Sequence, residues 1–398
     1  MQPPPVPPTS PHKTPGRKSR WNIRLLLILI VLLGIAVREI ALEHRPSFLR
    51  PGRHLYAYVS NTADGTLTAV NLVTLAAAAT VSVGPSPSGI RAHPKRDEIW
   101  GVSTSGGYVW VLDTKALRVV ARIPVGSEPY AVDFSRDGMR AYVAASGSDA
   151  VAEIDCSTRR VVARARTGKR PWIARVTPDG KLVIVTNRGD STVSLLSAPT
   201  FATVATIQVA SQPEQVAVLP DSSKAYISSA DSDRISVLNL RNYGLIANLE
   251  LGGTPGSFVM KSDGGELYIP SPNAHGLIVV DTWTNDVADY VMLGSAPEDA
   301  VLSPDGQLLY VSDPGASQIV PVQIGVRQAL QPIAIGQQPG VLEFASLGNT
   351  LLAVDAGSDQ LAVVRTEGCS QASGSSAGCL IALVPVGRDP RGLAIKEF

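Results

Sequence analysis

A period of 42 residues governs this chain. The stretch "VTPDGKLVIVTN", Val176 to Asn187, returns as "LSPDGQLLYVSD", Leu302 to Asp313, 126 residues later, or three steps of 42. At that interval Asp137, Asp179, Asp221, Asp263 and Asp305 form one column. Gly138, Gly180, Ser222, Gly264, Gly306 and Gly348 form the next. Four places on runs a bulky column: Tyr58, Trp100, Tyr142, Ile184, Tyr226, Tyr268, Tyr310 and Leu352. A proline column holds Pro87, Pro129, Pro171, Pro213, Pro255, Pro297 and Pro339, then Pro390 after a longer step. Gly84, Gly126, Gly168, Ala210, Gly252, Gly294, Gly336 and Gly387 stand just before it. Chance does not hold so many columns in register, so the chain is an array of one repeated unit.

Each unit contains four short apolar runs. In the third they are "YAVDF", "RAYVAAS", "AVAEID" and "RVVARARTG". None is long enough for a helix, and turn residues bound each one. The Asp-Gly pair supplies a position tolerant of positive φ between the first and second runs. The proline stiffens the step from one unit to the next. Abundant Gly (35) and Pro (30) suit many short strands joined by tight turns. Four antiparallel strands in about 42 residues make a propeller blade, so the fold expected is all-β, a β-propeller.

The runs "LLYVSD", "KLVIVTN" and "RAYVAAS", with "PDG" before them and "VG…P" after, resemble the YVTN family of β-propeller repeats, the YncE-like proteins. The resemblance covers residues 54–398. It implies an extracytoplasmic propeller with no generally established activity. It also implies seven blades more often than eight.

The repeat count itself gives eight. Sets of second-to-fourth strands begin near residues 55, 98, 140, 182, 224, 266, 308 and 350. The first set lacks a first strand, and the terminal "RGLAIKEF" is a first strand with nothing after it. Pairing Arg391–Phe398 with the unit begun at His54 closes the ring and removes the open edges. The last unit is nine residues longer than the others, the excess lying in "TEGCSQASGSSAGC". Cys369 and Cys379 in that Ser/Gly-rich hairpin read as a disulfide of an exported protein. Cys156, the third cysteine, reads as a small buried filler.

Residues 1–53 differ in kind. Residues 1–22 are Pro-rich and basic and read as a disordered cytoplasmic tail. Residues 23–42 hold "LLLILIVLLGIAV", Leu25 to Val37, read as a hydrophobic helix. Thirteen helical residues rise about 20 Å, short of the roughly 30 Å hydrocarbon core. The segment is therefore a transmembrane anchor with Arg24 and Arg38 snorkelling, or the apolar part of a signal peptide. Residues 43–53 would be a linker. Lys13, Arg17, Lys18, Arg20 and Arg24 precede the segment and place the propeller outside, tethered to the cytoplasmic membrane, or secreted if the segment is cleaved.

The net charge of +1 gives no support for a nucleic-acid partner. His54, His93 and His275 fall at different places in their units, and no haem-attachment motif, phosphate loop or nucleophile elbow occurs. "NRGDST" at Arg188 to Asp190 reads as ordinary turn residues. No catalytic, metal or cofactor site is assigned, and no cofactor is expected.

The first strands carry the one polar pattern of interest. Their third and fifth residues after Pro are apolar and must pack between blades. The fourth includes Arg91, Asp133, Arg175 and Glu343; the second includes Gln215 and Asp299. These read as an ion network lining a solvated channel, or as the mouth of a site for a small anionic or polar ligand. Tyr130, Trp172, Glu214, Glu298 and Arg391 directly follow the prolines and would form a rim. The function expected is a non-catalytic binding or scaffold module for an unknown protein, polymer or small polar ligand. The alternative is a periplasmic lactonase-like or quinoprotein-like propeller enzyme with its site at the channel mouth.

Overall fold

The structure is a computed structural model, and it describes residues 54–345, 349–367 and 379–398. The segments read as tail, anchor and linker lie outside the described residues, as does Cys369. Among the described residues no helix is long and apolar enough to cross a membrane.

Eight antiparallel sheets follow one another around a ring. Blade 1 is built from Leu55–Asn61, Thr66–Asn71 and Ala76–Ser82, with the C-terminal strand Pro390–Glu397 as its innermost member. Blades 2 to 8 each run outward in sequence order. Their innermost strands are Pro87–Ala92, Pro129–Phe134, Pro171–Val176, Pro213–Val218, Val259–Met260, Ala300–Leu302 and Pro339–Phe344. The count is eight, not the seven more usual in proteins this chain resembles. Closure is by the strand the repeat count left over. Ala57 lies opposite Ile395 and Val59 opposite Leu393, while His54 and Phe398 exchange backbone hydrogen bonds of 2.9 and 3.0 Å.

The sequence columns have physical jobs. Each Asp closes the turn between first and second strands. Asp179, for example, accepts from the Thr177 hydroxyl at 2.6 Å and the Lys181 N–H at 3.1 Å. Gly180 beside it has φ 71°, a left-handed conformation that glycine adopts without a steric penalty. The bulky column fills the layers between blades: Tyr58, Trp100, Tyr226 and Tyr310 are at most 1% exposed. Fourth strands, by contrast, are the most exposed, as in Asp286–Met292, where only Val291 is buried. Blade 7 breaks its fourth strand at Pro332 into Gln328–Ala329 and Ile333–Ala334, as expected where a residue without an N–H meets a ladder.

The inner strands share one irregularity. In blades 2, 3, 4, 5 and 8 the register slips just after the proline, as between Pro129 and Val132. One extra residue is accommodated there, a β-bulge. That bulge lifts the residues following the proline away from the ladder and toward the rim. It is the local device on which the site below depends.

Candidate functional site

Two polar groupings lie on the inner strands of blades 2 to 5. The first is at the rim. The bulges of blades 3 and 4 present Tyr130 and Trp172 side by side, with ring centroids 3.9 Å apart and 23° between planes. Arg188 covers Trp172 with its guanidinium 4.4 Å from the ring centroid. Its Nη1 also lies 3.5 Å from Glu214 Oε1. Burial pushes the Tyr130 hydroxyl up from its ordinary value; Glu214 adds to this, and Arg188 and Arg391 oppose it. Tyr130, Trp172, Glu214 and Arg391 therefore share one electrostatic neighbourhood. Arg391 also pairs with Asp389 at 2.7 Å. Glu298 does not join them. It is exposed, and its backbone bonds to Ser257 and Ser312.

Beside this stack opens a cleft of ≈960 Å³ over blades 1 to 4. Tyr130 and Trp172 form one wall, and hydroxyls such as those of Ser86, Ser88, Thr104 and Ser105 line the other. The hydroxyls are ordered. Ser88 Oγ donates to the Tyr130 carbonyl at 2.8 Å, and Thr104 Oγ1 donates to the Pro129 carbonyl at 2.8 Å. The two hydroxyls also lie 2.8 Å from each other, so they form one hydrogen-bonded group at the cleft. Trp172 Nε1 is buried without a hydrogen-bond partner. An aromatic wall facing ordered hydroxyls suits a polar ligand with an apolar or planar face.

The second grouping lies deeper along the same strands. Arg91 Nε is 3.3 Å from Asp133 Oδ1, and Arg175 Nη1 is 3.8 Å from the same oxygen. The other carboxylate oxygen accepts the Val176 N–H of the next blade at 3.1 Å. Enclosure by the ring pulls the Arg175 guanidinium down, against the pull of Asp133, and Arg91 adds to the lowering. Glu343 feels the charge of Arg91, but burial dominates and pushes its carboxyl up to about 7.

The remaining inner-strand residues stand apart from this cluster. Asp299 accepts the Leu342 N–H at 3.0 Å and so ties blade 7 to blade 8; burial raises its carboxyl, which Ser257 and that N–H offset in part. Gln215 is held through its own N–H by Ser228 Oγ at 2.8 Å. The fourth positions are also not uniformly axial. Ala217 and Ala394 sit in two of the apolar layers between blades, and Val259 and Val301 pack against two others, because strand alternation turns this position toward the next blade.

Sequence reading missed Arg188. Its triplet looked like a turn, and nothing local signals that a guanidinium will meet Trp172 from the same blade's inner strand. Among the described residues no group of three or more His, Cys, Asp or Glu converges as metal ligands would. Cys156 is a free, buried thiol, and burial raises it to about 12, far from reactive.

Fold and sites together define a β-propeller with a concave rim over a charged inner ring. The model of the YNCE-like beta-propeller family matches residues 137–354, and the chain belongs to that family. Solved structures share the fold at low identity. The hydrazine synthase of Kuenenia stuttgartiensis is 18% identical, with a TM-score of 0.58 over 71% of this chain and 96% of that one. The dihydro-heme d1 dehydrogenase NirN, in complex with DHE, is 16% identical with a TM-score of 0.70 over 85% and 74%. A functionally unknown protein of Desulfotomaculum acetoxidans is 15% identical with a TM-score of 0.57 over 74% and 97%. No curated protein matches the chain.

Proposed function

We propose that this propeller is an extracytoplasmic, membrane-anchored binding module that engages a polar ligand or partner in the rim cleft without transforming it. The observation that supports this most is the cleft itself: ≈960 Å³, walled by the Tyr130–Trp172 stack and floored by ordered hydroxyls. Such a surface offers stacking area and hydrogen-bond acceptors, which hold and orient a ligand. A full-chain thermal-shift screen of sugars, nucleosides and short peptides tests the reading. At least one ligand is expected to bind, to weaken tenfold or more in Trp172→Ala and Tyr130→Ala, and to be recovered unchanged. Recovery of a converted product, or ligands indifferent to both substitutions, would overturn it. Turnover would favour the second reading, an enzyme at the channel mouth, for which Glu343, with a carboxyl near 7 at the inner ring, is the observation in favour.

The placement outside the membrane rests on the basic residues before Leu25. In the same reading Cys379, which is buried, is joined to Cys369. A reporter active only in the cytoplasm, fused after Phe398, is expected to be silent. Non-reducing peptide mapping should show Cys369 and Cys379 linked and Cys156 alone. A bright fusion would refute export, and Cys156 in a linkage would refute the pairing.

A further inference from the structure

We infer that Arg91 and Arg175 form the two jaws of an oxoanion site, for a small carboxylate or phosphate, on the inner ring of blades 2 to 4. This site is separate from the rim cleft and does not rest on it. The inner strand rises about 3.3 Å per residue, so Arg175 lies roughly 10 Å deeper than Trp172.

The geometry is one of unmet demand. Each guanidinium is a planar fork of several N–H donors. Yet among the described residues neither guanidinium makes a hydrogen bond of good geometry, and their shared counter-charge, Asp133 Oδ1, stands 3.3 and 3.8 Å away. Asp133 is already engaged by the Val176 N–H. Arg175 Nε is buried and has no partner at all. A buried cationic donor with no acceptor is costly unless something fills the gap. Two positive forks around one carboxylate leave a surplus positive charge that Glu343, with its carboxyl held near 7, only partly offsets. Solvent reaches the place: 44% of the Arg91 side chain and 29% of the Arg175 side chain are open. A planar carboxylate or a phosphate matches such forks in shape as well as charge.

Asp133 then acts as the divider that keeps the two guanidiniums apart and aimed. A purely structural ion network would bring an acceptor within reach of Arg175 as well as Arg91, and here the shared oxygen stands 3.8 Å from Arg175.

The test is thermal melting of the full chain with acetate, phosphate or chloride at equal ionic strength. Acetate or phosphate, at concentrations about ten times its Kd, is expected to raise the melting temperature about 2–4 °C above chloride. Whichever of the two acts identifies the anion class, and both acting defines a general oxoanion site. The shift should vanish in Arg175→Gln and fall at least tenfold in apparent affinity in Arg91→Gln. It should persist in Arg118→Gln, which removes an exposed charge from the fourth strand of blade 2. Arg91→Gln, at the more open position, keeps the test decisive if Arg175→Gln fails to fold. Asp133→Ala should melt lower in chloride and regain more than the wild-type shift when the oxoanion is added. Equal melting in all three salts, or a shift that survives both Arg91→Gln and Arg175→Gln, overturns the site.

Discussion

Deleting Arg391–Phe398 is expected to cost the propeller its cooperative fold. The strand Pro390–Glu397 is the innermost member of blade 1 and its main link to the other end of the chain, with Gly387, Arg388 and Asp389 adding bonds to residues 61–64. Leu393 and Ala394 are 7% and 3% exposed, and Ile395 is half-buried. Phe398 stacks on His54 and Tyr56 at 5.6 and 5.7 Å. Losing these apolar contacts removes roughly 3–6 kcal/mol, comparable to a whole domain's margin. The deletion also strips the inner edge of Leu55–Asn61 and leaves a ready template for pairing with another chain. The expected result is aggregation, or a melting temperature lowered by 10 °C or more, read by calorimetry. A truncated chain that melts within about 2 °C of the intact one would show that closure by this strand contributes little.

The second large effect is a stability that declines from mildly acidic to neutral pH. Burial pushes Glu343 and Asp355 up to about 7 each. Arg91 opposes the shift at Glu343, and the Gly336 N–H opposes it at Asp355, where Oδ1 has no partner. In the unfolded chain both titrate near their ordinary values, about 4. Between about 4 and 7 the folded chain therefore binds more protons than the unfolded one. By linkage its stability is fullest on the acid side of that window and is lost as pH rises through it. Each group contributes about 3–4 kcal/mol of this loss. Below the window the turn aspartates act the other way. Asp137, held low by Ser135 and the Met139 N–H, and its counterparts stabilise only while ionised. Urea unfolding should accordingly peak near pH 5. Glu343→Gln with Asp355→Asn should flatten the neutral side and stabilise the chain at pH 8. An amide fits the second place, since Asn61 occupies the same column and accepts the Gly387 N–H at 3.1 Å. A flat wild-type profile from pH 5 to 8, or a double variant weaker than wild type at pH 8, would contradict the assignment.

Asp355 also shows what a column cannot reveal. Asp313 stands in the same column and is equally buried. Despite burial it is held below its ordinary value, because Ser295 Oγ, the Ala296 N–H and Gln318 donate to it at 2.6, 2.9 and 3.0 Å. Among the described contacts Asp355 receives only the Gly336 N–H, at 3.1 Å. The same letter in the same repeat position carries opposite titration, and the difference lies in Ser295 and Ala296 from the loop before the inner strand and in Gln318 of the strand that follows.

Much of the fold was legible because a propeller is a local repeat. The 42-residue period, the Asp-Gly turns and the bulky column each act within one unit or between neighbouring units, so their spacing alone implies four strands per blade, eight blades and closure by the last strand. The inner-strand pattern likewise exposed Arg91, Asp133 and Arg175 as a group, because consecutive blades bring the same position together. What the tertiary structure alone decided were meetings between different positions. Arg188 covers Trp172 because the turn after one strand folds back over the bulge of another. Asp299 was removed from the cluster and spent on joining two blades. The cleft over blades 1 to 4 exists because the bulges lift Tyr130 and Trp172 off their ladders. Periodicity records which face a residue takes; it does not record the distance between side chains from unlike positions, and that distance is set by packing across blades.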